Sequence, residues 1–246
     1  MALNTKITRI VAAAAAVGGA CLVVAVNVAP ASASGTYTVT PSGSTSVTVT
    51  NSTNLVFMDT TPLAKPKMTC TGFSATGTGT GGSYSFLTNP YPGSDSGLTS
   101  PASTSPTSSS FTGCSNVTLG AGTVTPQNTP WKLGCTALTA TGCTGYLYPA
   151  GTSNPNLAQV TATSASCTFN ASGAVYGTYT NPTTTGGNGS FTSDPTQSSL
   201  TVNGVTGSSC SLVHLANGDK ANLSSNGTTT AGNGAVLTVS PGLVVS

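Results

Sequence analysis

The sequence predicts an all-β protein, an antiparallel β-sandwich or barrel-like domain stapled by disulfide bonds and preceded by a cleaved helical signal peptide. Three observations support this prediction. An apolar segment follows two cations at the N terminus, six cysteines are spread over the rest of the chain, and short runs of β-branched and aromatic residues alternate with Gly, Pro, Ser and Asn. Many short strands separated by turn signals are typical of sandwiches and barrels.

Residues 1–33 have the organisation of a secretory signal peptide. Two cations precede an apolar run from Ile10 to Val28, and a small-residue cleavage site, Ala-Ser-Ala, ends at Ala33. Two other interpretations are a retained membrane anchor and a lipoprotein that carries its lipid on Cys21. The anchor does not need the Ala-Ser-Ala site, and the apolar run continues past Cys21, where a lipid-anchored chain should turn polar. We therefore expect cleavage, secretion and no membrane span in the released protein.

Residues 34–246 are predicted to form a single β-rich extracellular domain, with two similar halves, 34–125 and 126–246, as the alternative. Four lysines balance four aspartates in this part of the chain, which contains no Glu and no Arg. Charged residues make up 4% of the chain, against about a quarter in an average soluble protein. Binding to nucleic acid is excluded, because it requires clustered cations. A net charge near zero favours self-association or attachment to a surface.

The six cysteines after the signal peptide are predicted to form three disulfide bonds, as an even number in an exported chain indicates. Six cysteines allow many pairings, and sequence alone does not select one. The spacings, two long intervals of nearly equal length and one short interval, favour Cys70 with Cys114, Cys135 with Cys143, and Cys167 with Cys210. A zinc site is disfavoured, since the chain has one His and no CxxC pair. We expect no metal and no other cofactor.

Strand signals cover most of the chain after residue 34, and no amphipathic helix is evident. Two segments, Gly77–Ser110 and Asn181–Ser198, are rich in Gly, Ser, Thr and Pro and are predicted to be loops. The predicted strands are Tyr37–Thr40, Thr45–Thr50, Asn54–Met58, Met68–Ala75, Phe111–Leu119, Trp131–Leu138, Leu157–Thr163, Ala165–Asn170, Val175–Thr180, Ser199–Val205, Ser211–Leu215 and Ala235–Val239.

Three segments carry a resemblance to a known group of proteins. They are Thr129-Pro130-Trp131-Lys132-Leu133, Cys167-Thr168-Phe169, and Cys210 to Pro241 with Gly218-Asp219-Lys220-Ala221 and Val239-Ser240-Pro241. In these segments the chain resembles small exported actinobacterial β-rich proteins of unknown function, over the length from Cys70 to the C terminus. Cys135 and Cys143 depart from that pattern as an additional bridge. The resemblance implies a bacterial, secreted β-domain and no particular chemistry.

The sequence offers few groups for catalysis, because the chain has one His, four Asp and no Glu. His214 and Asp219 are close in sequence, but no Gly-x-Ser-x-Gly elbow accompanies them. We expect His214 to be a strand residue that faces away from the apolar side, and Asp219 to be a turn residue. The prediction is that the protein is not an enzyme.

Binding has more support, since the region around the short cysteine interval is the most aromatic part of the chain. Trp131, Tyr146 and Tyr148 are the candidate ligand-binding residues, because Tyr and Trp combine an apolar ring with a polar tip. A hydroxyl-rich sheet with exposed Tyr could hold a polysaccharide. For Trp131 the stronger interpretation is a core residue that packs the sandwich.

The function predicted from these observations is an interaction or structural role of a secreted or cell-envelope-associated protein without enzymatic activity. The alternative is a module that binds a small ligand or glycan, including a carrier-type β-sandwich that shelters its ligand. The expected partners are a cell-wall or extracellular polymer, or a second copy of the chain. The specific ligand, the oligomeric state and retention by the cell wall do not follow from the sequence.

Overall fold

The computed structural model describes residues 35–60, 65–87, 108–149, 155–197 and 200–246. The predicted signal peptide lies outside these residues. Within them, 17 antiparallel strands and one 3-10 helix, Ser208–Val213, make up nearly all regular structure, which confirms the predicted all-β class. The strands are β1 (Thr36–Pro41), β2 (Ser46–Asn51), β3 (Leu55–Asp59), β4 (Lys65–Thr78), β5 (Gly82–Ser85), β6 (Ser108–Asn116), β7 (Gly120–Pro126), β8 (Lys132–Thr139), β9 (Gly142–Tyr148), β10 (Asn156–Ala162), β11 (Cys167–Gly173), β12 (Val175–Thr180), β13 (Gly189–Ser193), β14 (Leu200–Thr206), β15 (Lys220–Ser224), β16 (Val236–Ser240) and β17 (Leu243–Val245).

Eight of the strands close into a barrel in the order β3-β15-β14-β11-β10-β7-β6-β4, and the barrel closes because β3 also pairs with β4. The interior is filled by apolar side chains that alternate with outward polar ones, as Val160 does with Gln159 and Thr161 on β10. Phe57 and Phe169 meet across the interior, with ring centroids 5.5 Å apart. Burial of this interior is the main force that holds the barrel together.

The 14-residue strand β4 belongs to two structures. Its first part pairs with β3 in the barrel, and its second part pairs with β2, which begins an open sheet in the order β4-β2-β16-β13-β12-β9-β8. A small sheet, β17-β1-β5, packs over the inner side of the open sheet. The contact is fixed by Tyr179 of β12, whose hydroxyl bonds the backbone of Leu243 on β17. The domain therefore combines a barrel with a small sandwich.

The three disulfide bonds join the pairs favoured by the cysteine spacing: Cys70–Cys114, Cys135–Cys143 and Cys167–Cys210. The first links directly opposed residues of β4 and β6, the second ties β8 to β9, and the third ties β11 to the 3-10 helix. All six cysteines are buried.

The predicted strand Ser211–Leu215 is wrong, because this segment lies in and just after the 3-10 helix. Gly207 begins the helix with a φ of 103°, and His214 ends it in the left-handed conformation with a φ of 55°. His214 is thus an exposed helix-capping residue and not the strand residue that we expected. Cys210 explains the difference, since its bond to Cys167 holds the chain against the barrel directly after β14.

Several strands lie where the sequence did not predict any. β5 and β13 fall within the two segments predicted to be loops. β7, β9, β15 and β17 also lie outside the predicted strands. Four of these six unpredicted strands, β5, β7, β9 and β13, begin with Gly, a residue that is depleted in strands and that is typical of turns.

Candidate functional site

The most distinctive surface among the described residues is the outward side of the open sheet, which we name the hydroxyl face. Its residues alternate with core residues along each strand: Val47 of β2 is buried while Thr48 and Thr50 on either side of Val49 are exposed. The same alternation holds on β13, where Ser190 and Thr192 flank the buried Phe191. The inward side is therefore apolar and the outward side carries hydroxyl groups.

Strand register aligns these hydroxyl groups in a row that crosses six adjacent strands, which are five strands of the open sheet and the neighbouring barrel strand β6. Each member is the register partner of the next, from β6 through β4, β2, β16 and β13 to β12. At the usual spacing of neighbouring strands, the row is about 24 Å long. Its members are Ser110, Ser74, Thr50, Thr238, Ser190 and Thr180.

A tyrosine pair lies at one corner of the hydroxyl face. Tyr146 on β9 and Tyr176 on β12 are register partners, and their ring centroids are 5.0 Å apart at an interplanar angle of 60°. Both side chains are half-buried. Two residues along each strand, Thr144 and Thr178 form the next register pair on the same face. The pair thus adjoins further hydroxyl groups.

The hydroxyl face carries little charge over its described part. On strands β2, β4, β9, β12, β13 and β16, the described side chains that point outward include no Lys and no Asp. Lys132 on the edge strand β8 is the register partner of Tyr148 and is the one described cation on this side of the open sheet. Asp194 lies just past the end of β13. Its backbone N–H donates a 2.8 Å hydrogen bond to the backbone carbonyl of Tyr176. The Asp194 carboxylate accepts hydrogen bonds from the N–H and hydroxyl of Thr196, so it serves a local turn.

The structure separates the three candidate ligand-binding residues. Trp131 is in the core, where it stacks on Phe73 with ring centroids 5.8 Å apart, and its Nε1–H donates to the carbonyl of Gln127. Tyr148 is also buried, in a small cluster with Leu87. Tyr148 lies on the same side of β9 as Tyr146, so of the three Tyr146 alone is accessible on the hydroxyl face. Tyr176 could not be selected from the sequence, because its position opposite Tyr146 depends on the pairing of β12 with β9 in the folded sheet.

An apolar cavity of about 70 Å³ extends from the barrel interior to the inner side of the open sheet, lined by side chains such as Phe57, Val160, Leu147 and Leu237. Pockets that hold drug-sized ligands measure roughly 300–1,000 Å³. This cavity has room for a few non-hydrogen atoms. Its size gives little support to a carrier that shelters a large ligand in the barrel.

A second concavity, of about 410 Å³, lies at the barrel end between the β6–β7 turn and the 3-10 helix. Val117 and Leu212 project from its sides and are among the most exposed apolar residues described. His214 also lines it, while the Asp219 carboxylate accepts a 2.7 Å hydrogen bond from the N–H of Ala216. Asp219 therefore stabilises a turn, as the sequence predicted. The described residues contain no group of three potential metal-ligating side chains.

Comparisons with protein-family models, with curated proteins and with solved structures found no significant match. No helix in the described part of the chain is long and apolar enough to cross a membrane. The fold and the site define the class: a disulfide-bonded antiparallel β-barrel with an appended open sheet that presents a hydroxyl face of little charge. Three disulfide bonds are characteristic of proteins that mature in an oxidising compartment.

Proposed function

We propose that this is a secreted or cell-envelope-associated protein without enzymatic activity, which acts by contact between its hydroxyl face and a cell-wall or other extracellular polymer. The observation that carries the proposal is the row of six hydroxyl groups on strands whose described outward side chains bear no charge. Such a face can exchange hydrogen bonds with a polymer along its whole length, since each hydroxyl both donates and accepts.

Export is supported by two features that are independent of each other. The N-terminal segment has the order of cations, apolar run and small-residue site that is typical of a signal peptide. The six cysteines of residues 34–246 are all paired in disulfide bonds, as is usual for proteins in oxidising compartments. The location we propose is extracellular, with retention at the cell wall through the hydroxyl face.

A role in contact rather than catalysis is supported by the chemistry of the described residues. The single His is exposed at the end of a short helix, and the carboxylates of Asp194 and Asp219 are engaged in turns. Asp59 is fully buried in the barrel wall. These groups do not form the acid–base pair in a pocket on which hydrolytic mechanisms depend.

The first prediction concerns retention by an insoluble polymer. The protein is purified from the medium of cells that express the full chain, then sedimented with insoluble cell-wall material. We expect wild-type protein to sediment and the double variant Thr50→Asp/Thr238→Asp to sediment at least about fivefold less, because two carboxylates interrupt the row and draw water to it.

The matched control is Thr123→Asp/Thr125→Asp, which places the same charges on exposed positions of the barrel strand β7. This variant should sediment like wild type, and circular dichroism should show the same fold for all three proteins. Equal losses from the two double variants, or no sedimentation of wild type, would contradict the proposal. Protein that stays in the cytoplasm, and is found neither in the medium nor on the cell wall, would contradict its exported location.

A further inference from the structure

We infer that the Tyr146–Tyr176 pair, with the hydroxyl groups beside it, is a binding site for an uncharged polysaccharide chain built of pyranose rings. The inference rests on the proposed function, because it assigns a ligand class to the hydroxyl face. The experiment that tests the inference uses defined soluble oligosaccharides. The inference can therefore fail while the protein still sediments with cell-wall material.

The two rings supply a surface for the apolar side of a sugar. A pyranose ring has C–H groups on its faces and hydroxyl groups around its rim, so its faces pack against aromatic rings while its rim needs hydrogen bonds. Tyr146 and Tyr176 are half-buried and tilted by 60°, so they form two walls of a shallow corner. Tyrosine suits such a position because its ring is apolar and its tip is polar.

The Tyr146 ring is held in place before any ligand arrives. It packs against a buried cluster that contains Leu87, Tyr148 and Ala174. Tyr176 lies in the middle of the sheet between β9 and β13, with its backbone carbonyl bonded to the N–H of Asp194. A rigid aromatic site loses little conformational entropy on binding, which favours affinity.

Hydroxyl groups lie along one side of the tyrosine pair at the distances of a regular sheet. Thr144 and Thr178 are two residues away along their strands, which corresponds to about 7 Å. Thr192 is the register partner of Thr178 on the next strand, and the Thr136 and Thr144 hydroxyl oxygens are 3.3 Å apart. These side chains offer donors and acceptors of the kind found on the rim of a sugar ring.

The charge and the extent of the face determine what kind of chain fits. A ligand with many carboxylates or phosphates would find a single cation, Lys132 at the edge of the sheet, among the described outward residues of the face, whereas a neutral chain needs no cation. The hydroxyl row extends for about 24 Å across the strands. An extended polymer can use the whole row, and a single sugar can use only the tyrosine corner.

The second prediction tests this site by calorimetric titration of the purified secreted protein with cellohexaose, chitohexaose and maltohexaose. We expect at least one hexasaccharide to bind, with affinity that rises from the disaccharide to the hexasaccharide and does not depend on salt. Tyr176→Ala should weaken binding about tenfold, through loss of ring stacking. Tyr176→Phe keeps the ring and should stay within about twofold of wild type.

Gln159→Ala is the control for a polar surface without aromatic rings, since Gln159 is a half-buried outward residue of the barrel strand β10. Its affinity should equal that of wild type. The inference is overturned if none of the three hexasaccharides binds wild type, if Tyr176→Ala binds as well as Tyr176→Phe, or if binding occurs with anionic polymers alone. If the protein still sediments with cell-wall material in any of these cases, the proposed function is retained and the polymer belongs to a different chemical class.

Discussion

Tyr179 is the residue that joins the open sheet to the small sheet. Its hydroxyl donates a 2.9 Å hydrogen bond to the carbonyl of Leu243 and accepts a 2.7 Å bond from the N–H of the same residue. Burial raises the pKa of Tyr179 to about 12, and burial does the same for Tyr37, whose hydroxyl accepts a bond from the N–H of Cys135. Both phenols are thus held neutral in the folded protein.

The third prediction follows from these two pKa values. A tyrosine in the unfolded chain loses its proton near pH 10, while Tyr37 and Tyr179 keep theirs to about pH 12 in the folded protein. Their contribution to stability is complete below pH 10 and is lost as the pH rises towards 12. We expect the free energy of unfolding to fall by roughly 1.4 kcal/mol per pH unit for each of the two tyrosines in this range.

Urea unfolding between pH 8 and pH 11.5 measures this effect, with Tyr179→Phe as the comparison. The variant lacks one titrating group, so its stability should decline about half as steeply above pH 10. At pH 8 it should be less stable by about 1–3 kcal/mol, because the buried backbone groups of Leu243 lose their partner. Parallel curves for the two proteins above pH 10 would refute the role of Tyr179 in alkaline sensitivity.

The burial of some side chains could be predicted from residue type and sequence neighbours, and the burial of others depends on contacts with distant parts of the chain. The core position of Trp131 follows from its apolar sequence neighbours. Tyr146 and Tyr148 have the same side chain and almost the same sequence context, yet Tyr148 is buried under Leu87 and Tyr146 lies at the edge of that cluster. Leu87 is distant in sequence, so its coverage of one tyrosine and not the other could not be predicted.

At the scale of elements, the 3-10 helix Ser208–Val213 depends strongly on the Cys167–Cys210 bond. The helix has no side-chain cap, and 3-10 helices of this length are intrinsically weak. Its other attachments are the burial of Val213 and Leu215 and a 3.0 Å hydrogen bond from the N–H of Ser209 to the carbonyl of Ser166. The disulfide bond is the one covalent link in this set.

The fourth prediction compares two disulfide deletions. Cys167→Ala/Cys210→Ala opens a bridge with a sequence separation of 43, and Cys135→Ala/Cys143→Ala opens one with a separation of 8. The chain-entropy cost is about 4 kcal/mol for the first and about 2.5 kcal/mol for the second. Amide hydrogen exchange of Ser208–Leu215 should accelerate markedly in the first variant and remain near wild type in the second.

Guanidinium unfolding of both variants gives the stability ranking, and circular dichroism verifies that each retains β structure before exchange is measured. The role assigned to the bond fails if the helix amides are equally protected in the two variants. Leu212→Ala is the control for a change in the same helix that keeps the disulfide bond. Because Leu212 is exposed, this variant should leave both exchange and stability unchanged.

Strand prediction succeeded where β-branched and apolar residues are dense and failed where glycine opens a strand. In β9, Gly142 and Gly145 read as turn residues in the sequence. A Cβ at Gly142 would lie 2.1 Å from the carbonyl oxygen of Tyr179, and one at Gly145 would lie 2.0 Å from that of Gly134. These glycines therefore permit close approach of neighbouring strands, a requirement that appears only in the assembled sheet.

At the scale of the whole molecule, the barrel is made of two four-stranded units with the same pairing order. Residues 34–125 supply β3-β4-β6-β7, and residues 126–246 supply β10-β11-β14-β15. In each unit a cysteine on the second strand is bonded to one on, or just after, the third strand: Cys70 to Cys114 and Cys167 to Cys210. The nearly equal cysteine intervals in the sequence reflect this arrangement.

The two units depend on each other at both seams. β3 pairs with β15 and β7 pairs with β10, so each unit alone would expose the backbone of its two outer strands and one side of the barrel interior. The open sheet crosses the same division, because β2 pairs with β16. Closure of the barrel interior therefore requires both units.

The fifth prediction follows from this division. A fragment of residues 34–125 should not form a folded monomer, and its amide NMR spectrum should lack the dispersion of the whole protein, because an unclosed four-stranded sheet buries too little apolar surface to offset the entropy of ordering it. The whole protein should unfold in one transition detected alike by tyrosine absorbance and by far-ultraviolet circular dichroism. A dispersed spectrum from a monomeric fragment would mean that each unit has a core of its own, and the interlocked barrel would then be an association of two domains.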